Sequence, residues 1–236
     1  RQMCIRDRSE AANGCKFVNY WMHNGFINVD NRKMSKSLGN FFTVREAAEV
    51  YGYDCIRMFI LMSHYRSPLN YSGEILMQAK AALERLSTAK DNLDFFCQNG
   101  ADGEMTAAEA ETLASLGVYR QKFCDAMDDD FNTADAISAI FELVREINSA
   151  VSPNAHPTKA LAEGCRALYL ELSDVLGIPF TEKKDALTPE QEALFNARKD
   201  ARKAKNWTES DRIRDELKAQ GILVEDTPQG MKWKRI

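Results

Sequence analysis

Apolar residues recur at three- and four-residue intervals through most of this chain, and turn residues mark where that period stops. Ile75, Leu76, Ala79, Ala82, Leu83, Leu86, Leu93 and Phe96 predict one long helix starting near Ser72. The run Asn99-Gly100-Ala101-Asp102-Gly103 ends it as a loop. A second helix is predicted to about Ala126, and a third from Asn132 to about Val151. A fourth passes through Leu161, Leu168, Leu172 and Leu176 and closes at Gly177. Four antiparallel helices on short connections describe a bundle. Upstream, Thr43 with Glu46 three residues later reads as a capping box. The stripe Val50, Ile56, Phe59, Ile60 and Met62 carries that helix over residues 41–64, and Pro68 breaks the pattern. Before it, Phe26-Ile27-Asn28-Val29 is a short strand candidate within a mixed region over 16–32.

The last quarter has a different rhythm. Residues 178–187 read as a linker. Thr188-Pro189-Glu190-Gln191 opens a helix with a capping hydroxyl, proline in the first position and glutamine in the third. Asn206 followed by Glu209 predicts a second capping box, and Gly221 closes that helix. Alternation in Ile222 and Val224, then in Met231 and Trp233, predicts a hairpin turning at Thr227-Pro228-Gln229-Gly230. The result is a small α+β module, of a size that folds only marginally alone.

Composition narrows the class. With 236 residues, 44% hydrophobic and 28% charged, the chain is globular rather than disordered and long enough for several small cores. No apolar run reaches membrane-span length, and RQMCIRDR has no apolar signal-peptide core, so a cytoplasmic protein without a membrane partner is expected. Six cysteines (Cys4, Cys15, Cys55, Cys97, Cys124, Cys165) form no C-x-x-C pair and predict reduced, largely buried thiols. The three histidines are as scattered, which gives a local metal site no support.

Net charge of −4 conceals an asymmetry. Residues 1–74 hold 10 Lys and Arg against 7 Asp and Glu, a balance of +3. Residues 75–186 hold 10 against 19 (−9), and residues 187–236 hold 11 against 9 (+2). Phosphate contacts are therefore expected at the two ends, away from the acidic middle.

The front end carries the densest chemistry. Lys33-Met34-Ser35-Lys36-Ser37, followed by Leu38-Gly39-Asn40, sets two ammonium groups and two hydroxyls on five residues beside a glycine. Such a loop can close over a polyphosphate, the lysines following charge on a leaving group and the hydroxyls and backbone N–H groups adding donors. On those five residues alone, a solvated basic turn fits equally well.

The segment resembles the KMSKS signature of class I aminoacyl-tRNA synthetases. The text FVNYWMHNGFINVDNRKMSKSLGNFFTVREAAEVYGYDCIRMFILMSHYRSPLNYS, from Phe17 to Ser72, narrows the resemblance to the cysteinyl-tRNA synthetase family. Met127-Asp128-Asp129-Asp130-Phe131-Asn132-Thr133 and the run from Ala201 to Trp233 resemble it too, in the family's order. The resemblance implies a mainly α chain in four parts. These are a remnant of a Rossmann-like nucleotide-binding domain over 1–40, a helical stem-contact region over 41–74, a helix bundle over 75–178, and a small α+β anticodon-binding domain over 187–236.

It also implies roles. Lys36 and Lys33 are the expected catalytic cations, with Met34, Ser35 and Ser37 joining Lys36 at ATP. Arg202, Trp207, Asp211 and Asp226 match positions that read the anticodon. Those residue types suit unstacked bases: a tryptophan face stacks, arginine donates a two-pronged fork, and carboxylates accept from base N–H groups. A core tryptophan and surface ion pairs are the structural alternative for the same four residues. Implied partners are ATP with Mg²⁺, L-cysteine and the cysteine tRNA, with a monomer as the expected state.

Other residues read structurally. His23 suits a positioning role, since adenylate formation starts from an ionised carboxylate and needs no base. Trp21 is expected in a core. Asp128, Asp129 and Asp130 are read as complementing a helix start at Asn132 and Thr133. Arg66 is open between a tRNA phosphate and a tie within its loop.

Departures from the family set limits. The HIGH motif and most of the nucleotide-binding domain have no counterpart here, and the first eight residues resemble nothing in the family. Where the family completes a Zn²⁺ site with His and Glu, this chain has Arg1 and Ile5. Zn²⁺ is thus expected only in a full-length enzyme, and the chain alone is expected not to form cysteinyl-adenylate. Two further readings stand beside the ligase: a free-standing RNA-binding module, and a cysteine ligase acting on an amino sugar. The residues from Arg202 to Trp233 count against the last.

Overall fold

The computed structural model describes residues 2–178, 180, 188–227 and 230–235. Most of the expected linker, including Thr181 to Leu187, lies outside them, as do Arg1 and the hairpin's Pro228 and Gln229. The chain begins with helix α1 (Gln2–Asn13). A small sheet follows, formed by β1 (Ile27–Val29), β2 (Arg32–Lys33) and β3 (Leu69–Tyr71) in the order β2-β1-β3. β1 runs antiparallel to β2 and parallel to β3. Asp30 and Asn31 make the tight turn between β1 and β2 with positive φ of 48° and 60°, conformations that Asp and Asn tolerate better than most residues.

The helix expected over 41–64 is two helices, α2 (Val44–Tyr51) and α3 (Tyr53–Leu61). The capping box forms as predicted: Glu46 N–H donates to Thr43 Oγ1 at 3.2 Å, and Thr43 N–H donates to a Glu46 carboxylate oxygen at 2.6 Å. Gly52, at φ 80° and ψ 152°, ends α2 and begins α3. A periodic apolar stripe crosses such a break unchanged, which is why periodicity alone runs the two together.

The bundle contains α4 (Gly73–Asn99), α5 (Ala107–Ser115), α6 (Gly117–Asp128), α7 (Thr133–Ala150) and α8 (Lys159–Val175). It has five helices rather than four because the chain turns at Leu116, a buried residue that caps one helix and starts the next. α4 packs against α3 and α8, and α6 against α7. One continuous apolar cluster joins them, so the α3 region and the bundle share a core. Its buried polar groups are paired: Tyr169 Oη donates to the Leu86 carbonyl at 2.8 Å.

A separate small core belongs to the C-terminal module. α9 (Pro189–Lys203) and α10 (Trp207–Ala219) pack together, and α10 packs on the hairpin β4 (Ile222–Thr227) and β5 (Gly230–Arg235). Ile213, Leu217, Ile222 and Val224 are buried, with Leu194, Phe195, Met231 and Trp233 against them. The Thr188 capping box forms with Gln191. At Asn206 only half of the predicted box forms. Its Oδ1 accepts from Glu209 N–H at 3.3 Å, while the Glu209 carboxylate turns away to Arg212.

Three further expectations are corrected by packing. Trp21 is 46% exposed beside Phe17 rather than in a core. Asp128 ends α6 and Asp129 caps it, so neither starts a helix; Asn132 caps α7 and Asp135 supplies its first-turn acid. Asp130, at φ 56°, accepts from Tyr65 Oη at 2.8 Å and pairs with Arg66 at 3.0 Å. Arg66 therefore ties its loop to the bundle. The thiols divide: Cys55 and Cys165 are buried and Cys97 half-buried, whereas Cys4, Cys15 and Cys124 are exposed.

Candidate functional site

The Lys33–Asn40 loop is built on the β2 end of the small sheet. Lys33 pairs in register with Asn28, which fixes where the loop leaves the sheet. Ser35 then caps a single 3-10 turn over Lys36–Leu38, its Oγ accepting from Leu38 N–H at 3.3 Å. Gly39 closes that turn in the left-handed region at φ 66°, where a Cβ is disfavoured. Asn40 braces both ends of the loop. Its Oδ1 accepts from Ser35 N–H at 2.9 Å, and its Nδ2 donates to the Lys33 carbonyl at 3.2 Å. Ser35 and Ser37 hydroxyls share a hydrogen bond at 3.1 Å.

Both lysines of the loop are exposed. Lys36 Nζ lies 5.4 Å from the centre of the Phe41 ring, an arrangement in which the ring face attracts the ammonium. Lys36, Ser37 and Lys33 thus face solvent from one short loop, while Met34 and Ser35 are half-buried beneath it. Two cations and two hydroxyls presented together can bind a polyphosphate; nothing in the loop supplies a general base. Asn40 and Phe41, which hold the loop in this shape, were not singled out by sequence. Their signal was adjacency to the motif.

The second constellation lies on the C-terminal module. Trp207, the first residue of α10, is 56% exposed. The guanidinium of Arg202, near the end of α9, sits 5.6 Å from its ring centre. Arg202 Nη1 donates to Asp226 Oδ2 at 2.9 Å, and both side chains are roughly a third exposed (37% and 34%). These three residues are brought together. Asp211 stands apart, one turn further along α10, 60% exposed and paired with Arg214 at 3.2 Å.

One residue at this site was missed by sequence reading. Arg198 is fully buried, and its two Nη atoms donate to the two oxygens of Asp226 at 2.8 and 2.9 Å. The hydrogen bonds from Arg198 hold the Asp226 carboxyl below the usual carboxylate range. The available signal was spacing: Arg198 and Arg202 are four apart on α9 and share a face.

Among the described residues no three His, Cys, Asp or Glu side chains gather into a metal-holding group, and no helix is long and apolar enough to cross a membrane.

A family model for the class I (C) tRNA synthetase catalytic domain matches residues 6–81, which contain the Lys33–Asn40 loop. That match assigns the loop and the helices behind it to a class I tRNA synthetase polypeptide. A DALR domain model matches residues 122–181, and the cysteinyl-tRNA ligase anticodon binding domain matches 184–233. Proteins named cysteine–tRNA ligase from Symbiobacterium thermophilum and Clostridioides difficile are each 48% identical to this chain over 97% of its length. One from Lachnospira eligens is 47% identical over the same share. The chain belongs to the cysteinyl-tRNA synthetase family. It spans about half the length of the curated relatives it matches, 48% of the Symbiobacterium and Lachnospira proteins and 49% of the Clostridioides one. The fold is also similar to a LeuRS crystallised in a ternary complex with tRNA and LeuAMS, from Agrobacterium radiobacter. That likeness has a TM-score of 0.55 at 20% identity and covers 72% of this chain and 22% of the other.

Proposed function

We propose that this chain forms the part of a cytoplasmic, monomeric cysteine–tRNA ligase that closes on ATP at one end and docks the cysteine tRNA at the other. Its parts are the catalytic remnant (1–40), the stem-contact helices (41–74), the bundle (75–178) and the anticodon module (187–236). In the reaction, a carboxylate oxygen of L-cysteine attacks the α-phosphorus of ATP and pyrophosphate leaves. A terminal ribose hydroxyl of the tRNA then attacks the activated carbonyl and AMP leaves. Lys36, with Lys33 as second cation, serves the first step by neutralising charge that grows on departing pyrophosphate. Met34, Ser35 and Ser37 shape the loop around the phosphates. Mg²⁺ would accompany ATP and offset part of its phosphate charge, and none of these residues is assigned to hold it.

At the far end, Trp207 offers a face to an unstacked base, Arg202 offers free N–H groups to a base edge, and Asp211 offers a carboxylate. Asp226 stands behind Arg202 with one acceptor position left over. The observation that carries the proposal is the exposed Arg202–Trp207 pair within a segment that matches the family's anticodon binding domain. Filter binding of the chain to cysteine tRNA and to transcripts with altered anticodons tests it. Preferential retention of the cysteine anticodon is expected, and equal retention of all transcripts overturns the assignment.

A further inference from the structure

Arg198 makes no use of solvent, yet it fixes the residues that do. Its guanidinium is fully buried between α9 and the hairpin, where an unpaired cation would be costly. Asp226 answers it with both oxygens, and Met231 Sδ lies 2.7 Å from Arg198 Nη1. Arg198 Nε and Ser210 Oγ have no hydrogen-bond partner among the described residues. A fully buried cation whose partner is partly exposed and whose Nε is left unsatisfied is a poor device for stability alone, because an apolar residue of similar volume avoids the cost of burying the charge. Its evident consequence is geometric.

Asp226, held at two points, has a fixed carboxylate plane. Three N–H groups occupy it: two from Arg198, and one from Arg202 on Oδ2. That last bond pins Arg202, a side chain that would otherwise spread over many rotamers. Pinned, the Arg202 guanidinium sits over the Trp207 ring with its side chain 37% exposed, and the N–H groups that Asp226 does not take are left for a ligand.

We infer that Arg198 is a positioning residue for base selection: acting through Asp226, it fixes the Arg202 fork beside Trp207 so that one unstacked base is chosen by its edge. Asp226 works here as the linking element and keeps one acceptor position for a base N–H. The inference rests on the anticodon reading proposed above and goes beyond it by assigning the source of selectivity. A preformed fork loses less freedom on binding than a mobile one and rejects an edge whose acceptors are displaced.

The test uses the full chain and anticodon stem-loops of the cysteine tRNA, with each anticodon base changed in turn. Arg198→Lys keeps the buried charge but cannot grip both oxygens. Selectivity at one anticodon position is expected to fall about tenfold, with the other two positions unaffected. Arg202→Ala is expected to lose selectivity at that same position, and the double variant to lose no more than either alone. A merely structural role gives instead a uniform loss at all three positions, which overturns the inference, as does a double variant whose losses multiply. Asp226→Asn, close to isosteric, provides the same reading if Arg198→Lys does not fold, and full selectivity in that variant also overturns the inference. If the wild-type chain itself fails to discriminate, the anticodon reading falls first.

Discussion

Lys232, on the last strand, donates a hydrogen bond to Asn92 Oδ1 in the middle of the long helix α4, at 2.9 Å. The same ammonium lies over the rings of Phe95 and Phe96, 4.3 and 4.8 Å from their centres. This contact joins the C-terminal module to the bundle. Burial drives the Lys232 ammonium below its ordinary value, so the contact is made at a desolvation cost that the rings and the amide offset.

Lys232→Met preserves the aliphatic stem and removes the charge. We expect it to weaken the docked state by about 0.5–2 kcal/mol, read as a lower thermal midpoint. Asn92→Ala should cost less, and the two losses should fail to add in the double variant. Additive losses would show that the two side chains do not act together.

Gly52 serves two helices from one backbone conformation. With φ 80° and ψ 152° it occupies territory that residues with a Cβ rarely enter, though no atom lies within 4 Å of an added Cβ. Gly52→Ala should therefore destabilise the chain through backbone strain alone, by about 1–3 kcal/mol. Urea unfolding measures this; a variant as stable as the wild type would mean that α2 and α3 can meet in another way.

What the sequence made legible was local. The Thr43–Glu46 and Thr188–Gln191 boxes could be read because a cap and its partner lie within four residues. The breaks at Gly52 and Leu116 were hidden because apolar spacing persists through a change of helix axis. Asp130 was misjudged for a different reason: its partners, Tyr65 and Arg66, come from a loop far back in the chain. Arg198 likewise has its partner on another element, so its spacing from Arg202 gives a shared face but not its burial. The KMSKS-like loop was plain as a motif, but Asn40's bracing of Lys33 and Ser35 requires the β2 register to be seen.

The Arg198–Asp226 pair makes acid stability predictable in sign. The folded carboxyl titrates below its unfolded value, so its contribution is complete above about pH 3.9 and is lost as pH falls through the lower folded value. Asp226→Asn should destabilise the chain at neutral pH. The gap between variant and wild type should close as the pH drops below about 4. Urea unfolding at several pH values measures the gap, and a constant difference would remove the pair from the acid response.

Thiol chemistry separates the six cysteines. Burial pushes the Cys165 thiol up to about 11 and raises Cys55 and Cys97 as well. Cys4, Cys15 and Cys124 are exposed. A water-soluble disulfide reagent at pH 8 should titrate those three quickly and the others only on unfolding. Fast modification of Cys165 would contradict the packing of α8.

Anticodon recognition by this module depends most on the exposed face of Trp207 taking a base. The direct measurement is the affinity of the chain for cysteine tRNA before and after Trp207→Ala, with Trp207→Phe as the variant that retains a ring. Loss of a stacked base should cost about 1–3 kcal/mol in the alanine variant, and phenylalanine should restore part of it. Unchanged affinity in Trp207→Ala, with the protein folded, would contradict the central claim.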